Sequence, residues 1–187
     1  MKERLIIPLL LCLALVLSAC GMDEFDPDEY VGEGLLTLFG IEVDNNQYFY
    51  NEVFVLGHLK VDESKSVKKD GKTYAPVTDK RINTYDELKR LLSEIYTEDA
   101  VMDILENYDF YKDIDGKLYY DLSDKDNTRK GCKWERMKDV APEIEGREEN
   151  TYVMEYKFAC GKKDEFDEFT FVRTENGYRL TKLQYVD

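Results

Sequence analysis

The side chains that most often carry out catalysis are scarce in this sequence. The only histidine, His58, lies in the apolar stretch NEVFVLGHL, and hydrolysis by a serine or cysteine nucleophile needs such a base. We interpret His58 as a structural residue on a strand. Paired carboxylates could hydrolyse glycosides, but 40 acidic residues supply such pairs by chance. We therefore predict no catalytic residues, no cofactor and no enzyme activity.

An aspartate-rich segment, DLSDKDNTRKG from Asp121 to Gly131, raises the question of a calcium site. An EF-hand loop has glycine at its sixth position and glutamate at its twelfth. Counted from Asp124, the sixth position is Arg129, so the pattern does not match. We predict a solvated loop and no metal site.

The N-terminal segment predicts export and attachment to a lipid. Lys2 and Arg4 precede the apolar run LIIPLLLCLALVL, and small residues follow it, as in a secretory signal. The run is shorter than the roughly 20 residues of a membrane-spanning helix. The stretch LSAC, ending at Cys20, resembles the lipobox at which bacterial lipoproteins are cut and acylated. Two or more acyl chains anchor a protein firmly, so we expect the extracytoplasmic face of the cell membrane.

These features divide the chain into three parts. We predict a lipoprotein signal peptide over residues 1–19, a lipidated Cys20 with an acidic tether over residues 20–34, and one folded domain over residues 35–187.

Two cysteines, Cys132 and Cys160, remain in the predicted domain. An even pair in an exported protein predicts a disulfide. If the flanking strands form a hairpin that is symmetric about Gly146, Cys132 faces Cys160 and Trp134 faces Phe158. Directly opposed residues lie within the distance that a disulfide spans.

The charge of the chain limits its partners. It has 26 basic and 40 acidic residues, a formal net charge of −14. Such a protein repels nucleic acid and anionic wall polymers, whereas a cationic or neutral cleft on a protein partner would accept it. Solubility alone also explains a high net charge.

The spacing of apolar residues predicts two short amphipathic helices. Thr84 and Glu87 form a capping box, and apolar residues follow at helical spacing. Thr97 is a second N-cap, after which the same spacing recurs. The stretch LLTLFGI, residues 35–41, is ambiguous between helix and strand.

Residues that favour β-structure predict strands on both sides of this helix pair. The predicted strands cover residues 51–59, 134–140, 152–160, 166–173 and 178–185. Asn176-Gly177 indicates a hairpin between the last two. The predicted fold class is α+β, a single domain with a short amphipathic helix pair packed on antiparallel β-hairpins and a C-terminal β-meander.

One short pattern occurs twice, as KDGKTYAPVTDK at residues 69–80 and IDGKLYYDLSDK at residues 114–125. Asp-Gly between β-favouring residues predicts a type I′ turn, because both central residues need a positive φ. Turn geometry explains the Asp, Gly and Tyr of each copy but not the trailing TDK and SDK. Duplication is the other explanation.

The stretches INTYDELKRLLSEIYTEDAVMDIL, DGKLYY and KWERMKDV resemble the IseA family of DL-endopeptidase inhibitors. The shared pattern is a helix, a [YF]T-[ED]-D joint, a second helix, a G-x-L hairpin and a strand with tryptophan, over about residues 50–185. The resemblance implies an exported inhibitor that binds NlpC-type cysteine peptidases, which cut peptidoglycan stem peptides, and blocks their catalytic cleft. The lipobox and the cysteine pair depart from the family pattern.

The loop after the second DGK hairpin is the candidate contact with a peptidase. It combines aromatic and acidic residues, which suit a basic groove. The predicted partner-binding residues are Tyr119, Tyr120, Asp121, Ser123, Asp124 and Asp126. An ordinary acidic surface loop explains the same residues, and a lipid-anchored binding or scaffold module without inhibitory activity is the alternative function. We expect a monomer.

Overall fold

The computed structural model describes residues 32–127 and 131–184, without the side chains of residues 126 and 127. The predicted signal peptide, Cys20 and most of the predicted tether lie outside these residues. Within the described residues, no helix has the length and apolar character needed to cross a membrane. The described residues from Leu36 onward form one compact unit.

The helical elements of the described residues lie between Glu33 and Asn127. They are α1 (Glu33–Tyr48), a π-helix (Phe49–Phe54), a first 3₁₀ helix (Glu63–Lys65), α2 (Tyr85–Ile95), α3 (Glu98–Asn107) and a second 3₁₀ helix (Leu122–Asn127). The strands are β1 (Val67–Lys69), β2 (Lys72–Pro76), β3 (Tyr111–Ile114), β4 (Lys117–Asp121), β5 (Glu135–Arg136), β6 (Glu143–Glu148), β7 (Thr151–Cys160), β8 (Lys163–Thr174) and β9 (Gly177–Leu180).

These strands form two antiparallel sheets, which confirms the predicted α+β class. The N-terminal sheet has the order β1-β2-β4-β3, and the C-terminal sheet has the order β5-β7-β8-β9 with β6 also paired to β7. The two DGK hairpins are confirmed and lie side by side, because β2 pairs with β4. Asp70 and Asp115 have φ values of 51° and 54°, the left-handed region that the predicted turns require.

The helix pair is confirmed, and its joint is attached to the C-terminal sheet. Thr84 and Glu87 form the predicted capping box, and Thr97 caps α3. Leu88 and Leu92 are fully buried, so the apolar stripe of α2 faces the core. The backbone N–H of Thr97 donates to the carbonyl of Leu180 on β9 at 2.9 Å.

The ambiguous stretch 35–41 is helical, and the predicted strand over residues 51–59 is wrong. Residues 49–54 continue α1 as a π-helix. Phe39 of α1 stacks on Phe171 of the C-terminal sheet at 4.1 Å between ring centroids. The hydroxyl of Tyr111, in the N-terminal sheet, donates to the carbonyl of Val53 at 3.0 Å. A short, largely apolar run looks the same in a buried helix and in a strand, which explains the error.

The disulfide between Cys132 and Cys160 is present, but the hairpin predicted around it is wrong. Their Cα atoms are 6.2 Å apart. Gly146 lies inside β6, next to a register shift, and β6 pairs with the first half of β7. The short β5 pairs with the end of β7, with Arg136 opposite Phe158. The register therefore differs by two residues from the predicted one, which keeps the same side chains on each face.

Candidate functional site

The loop predicted to contact a partner links the two sheets. We define the connecting segment as residues 122–133, between β4 and β5, of which 122–127 and 131–133 are described. It begins with the second 3₁₀ helix, and its ends are held in two different ways.

An ion pair between a buried aspartate and a half-exposed lysine holds the N-terminal end of the connecting segment. Asp121, the last residue of β4, is only 1% exposed. Its carboxylate lies 2.7 Å from the Nζ atom of Lys72 on β2 and accepts hydrogen bonds from the backbone N–H and the hydroxyl of Ser123. Burial alone would raise the pKa of Asp121, but the hydrogen bonds from Lys72 and Ser123 hold it below its usual value.

Tyr120 fixes the same end from the other face of the strand. Its ring is fully buried and stacks on the imidazole of His58 at 4.4 Å. Its hydroxyl donates to the carboxylate of Asp124, inside the segment, at 3.5 Å. His58 Nδ1 also lies 2.8 Å from the carbonyl oxygen of Leu59, so the histidine has a structural role here.

The C-terminal end is fixed covalently. The disulfide joins Cys132 to Cys160 at the end of β7. The next residue, Lys133, places its Nζ atom 2.5 Å from the carboxylate of Glu52 on the π-helix. Trp134 is 6% exposed, so the chain enters the core directly after the segment.

The six predicted partner-binding residues therefore differ in accessibility. Tyr120 and Asp121 are buried and hold the segment, so they cannot contact a partner directly in this conformation. Ser123 is exposed, and Tyr119 and Asp124 are half-buried. Asp126 lies in the second 3₁₀ helix, but its side chain is outside the described part of the chain.

A groove that the sequence did not indicate lies between the helix pair and the β8–β9 turn. Its volume is about 860 Å³. Val101 forms part of its apolar wall, and Met102 is 55% exposed. Lys89 and Arg179 are cationic residues of its lining. Its walls come from segments far apart in the chain, so no local pattern could predict it.

One group of three carboxylates in the described residues could hold a cation. Oxygen atoms of Glu143, Glu145 and Glu155 lie within 4.8 Å of one another on the outer face of the C-terminal sheet. Desolvation and the neighbouring Glu145 and Glu143 raise the pKa of Glu155. Exposed acidic groups often cluster without an ion. This carboxylate cluster also lies apart from the connecting segment.

The described residues thus define an α+β protein that presents a surface segment held at both ends. The family model of the IseA DL-endopeptidase inhibitor matches residues 43–184. The chain belongs to the IseA DL-endopeptidase inhibitor family. No curated protein matches the chain.

Proposed function

We propose that this protein is an exported lipoprotein that inhibits a peptidoglycan DL-endopeptidase by binding in its catalytic cleft. The observation that carries the proposal is the family match over residues 43–184. The target is a cysteine peptidase of the NlpC type, and the protein acts without catalysis of its own. Lipid on Cys20 would place it on the extracytoplasmic face of the cell membrane.

The connecting segment is the part of the molecule best suited to enter a cleft. It is fixed at its N-terminal end by Asp121 and at its C-terminal end by Cys132. A loop whose two ends are fixed loses less conformational entropy when it binds. Ser123 and Asp124, together with Asp126, would meet the partner, while the buried residues beneath them keep the backbone in place.

An inhibition assay tests the proposal. The full chain, in detergent micelles, should slow the cleavage of purified peptidoglycan by an NlpC-type endopeptidase. Added salt should weaken inhibition, because it screens attraction between this chain, of net charge −14, and a cationic cleft.

A matched pair of charge reversals tests the role of the segment. Asp126→Lys lies in the connecting segment and Asp103→Lys on the exposed side of α3. Both change the net charge equally. We expect Asp126→Lys to weaken inhibition about tenfold, which corresponds to about 1.4 kcal/mol, and Asp103→Lys to change it less than twofold. Equal effects would assign the inhibition to net charge alone. If no NlpC-type enzyme is slowed, the binding or scaffold alternative is favoured.

A further inference from the structure

The groove between the helix pair and the β8–β9 turn is separate from the connecting segment. Its volume of about 860 Å³ lies within the range of small-molecule sites. Among the described side chains, none of the predicted partner-binding residues lines it. The proposed inhibition therefore gives this groove no role, and its lining indicates what it would bind.

Two cationic side chains of the lining, those of Lys89 and Arg179, meet at α2. The guanidinium of Arg179 is held against this helix, because its Nε donates to the carbonyl of Ser93 at 3.2 Å and its Nη1 donates to the carbonyl of Tyr178 at 2.7 Å. Lys89 precedes Ser93 by four residues, about one helical turn, and the hydroxyl of Ser93 donates to the carbonyl of Lys89 at 2.9 Å. The guanidinium therefore lies about one turn from the backbone of Lys89.

Both cations keep hydrogen-bonding capacity for a ligand. Within the described residues neither forms a salt bridge, although the chain has 40 acidic residues. The Nζ atom of Lys89 lies 5.7 Å from the ring centroid of Tyr85, and the Nη2 group of Arg179 makes no hydrogen bond to this part of the chain. Desolvation raises the pKa of Glu42, and the charge of Arg179 is among the effects that oppose the rise, without a salt bridge between the two. Free donors of lysine and arginine bind carboxylates.

The lining also contains apolar side chains of α3. Val101 and Leu105 are four residues apart, so they lie on one face of the helix, and Met102 is 55% exposed. Burial of exposed apolar surface is favourable. A ligand in the groove therefore gains from an apolar group on α3 as well as from an anionic group on α2.

Other side chains of the lining limit the class of ligand. Glu98 and Glu106 on α3 and Glu175 in the β8–β9 turn add three negative charges, so a polyanion such as nucleic acid is repelled. Asn176, exposed in the same turn, offers an amide that both donates and accepts hydrogen bonds. A peptide group matches this donor and acceptor, whereas the hydrocarbon chain of a fatty acid matches neither.

We propose that the groove binds a short peptide that ends in a free carboxylate and carries an apolar side chain next to it. The carboxylate pairs with Lys89 and Arg179. The apolar side chain packs on Met102, and Asn176 forms hydrogen bonds with the peptide backbone. The volume fits a short peptide better than a folded partner. This binding activity goes beyond the proposed inhibition, because it does not use the connecting segment.

Saturation-transfer difference nuclear magnetic resonance tests the site on the full chain in micelles of a non-ionic detergent. The probe is N-acetyl-alanyl-leucine, and micelles without protein correct for its partition into detergent. We expect saturable binding at millimolar probe. N-acetyl-alanyl-leucinamide lacks only the negative charge and should bind about tenfold more weakly. A chain of net charge −14 repels anions in general, so a preference for the carboxylate has to come from a local site.

A matched pair of variants and a third peptide locate the contacts. Lys89→Gln and Lys68→Gln each remove one positive charge, and Lys68 is exposed on β1, outside the groove. We expect Lys89→Gln to weaken binding of N-acetyl-alanyl-leucine about tenfold and to remove most of the preference over the amide. Lys68→Gln should change the affinity less than about twofold. N-acetyl-alanyl-glycine lacks the apolar side chain and should bind about tenfold more weakly than the leucine peptide.

Four results would overturn the proposal. They are equal affinities for the carboxylate and the amide, equal affinities for the leucine and glycine peptides, equal effects of Lys89→Gln and Lys68→Gln, or no saturable signal up to about 10 mM peptide. If Lys89→Gln does not fold, the comparison of the three peptides on the native chain still decides. The experiment uses this chain alone, so its outcome does not depend on whether the protein inhibits a peptidase.

Discussion

Replacing Asp121 by asparagine tests how the N-terminal end of the connecting segment is held. Asparagine has the same shape and can still accept hydrogen bonds from Ser123, but it removes the negative charge that Lys72 faces at 2.7 Å. A hydrogen bond to a charged group contributes about 1.5–3 kcal/mol. Lys72 is half exposed, so solvent screens part of this interaction. We expect Asp121→Asn to lower the free energy of unfolding by about 1–2 kcal/mol at pH 7.

The pH dependence gives the sharper test, because protonated aspartic acid and asparagine are both neutral. The pKa of Asp121 in the folded protein lies below its usual value. Such a group stabilises the fold above its unfolded pKa of about 3.9, and this contribution is lost as the pH falls through the folded pKa. The difference in unfolding free energy between the native chain and Asp121→Asn should therefore be constant above about pH 5 and shrink at lower pH.

Urea unfolding followed by the fluorescence of Trp134, the single tryptophan, measures this difference without adding salt. Asp109→Asn is the control, because Asp109 is 71% exposed and lies 3.9 Å from Lys112. We expect this variant to unfold as the native chain does. An Asp121→Asn variant as stable as the native chain at pH 7 would refute the reasoning. So would a difference between the two that is the same at pH 7 and pH 3.5.

Four further variants test other parts of the molecule. Cys132→Ser should lower the free energy of unfolding by about 3–4 kcal/mol, since the bond to Cys160 spans 28 residues, and a reductant should affect the native chain alone. Cys20→Ala should not incorporate a labelled lipid precursor, and equal labelling would contradict lipidation. Asn46→Ala should cost about 3 kcal/mol or more, because it leaves buried partners unpaired. Gln47→Met should be neutral or stabilising in calorimetry, because it removes a buried donor that has no hydrogen-bond partner among the described residues.

Local patterns in the sequence predicted local structure correctly. The capping box of Thr84 and Glu87 involves residues three apart, and the turns at Asp70 and Asp115 depend on two residues each. Their conformations follow from hydrogen bonds and sterics within a few residues. The disulfide was predicted as well, because an even pair of cysteines in a domain that is expected to be exported favours it.

Features that depend on distant contacts could not be predicted in this way. Residues 49–54 form a π-helix in which every residue except Glu52 is buried, and a strand-like composition does not reveal this. Gly146 looked like the centre of a hairpin, yet β7 is long enough to pair with β5 at one end and β6 at the other. Gln47 and Asn51 stand in the stretch NNQYFYN, where nothing separates a paired amide from an unpaired one.

The repeated DGK pattern acquires a physical meaning from the pairing of β2 with β4. Aligned on their turns, the two copies differ where the first has Ala75 and Pro76 and the second has Tyr120 and Asp121. These two residues of the second copy are the buried ones that hold the connecting segment. Lys72, which follows the Asp-Gly turn in the first copy, forms the ion pair with Asp121 of the second copy. The two hairpins therefore share a backbone conformation. Tyr120 and Asp121, at which the second copy differs from the first, hold the connecting segment that the proposed function requires.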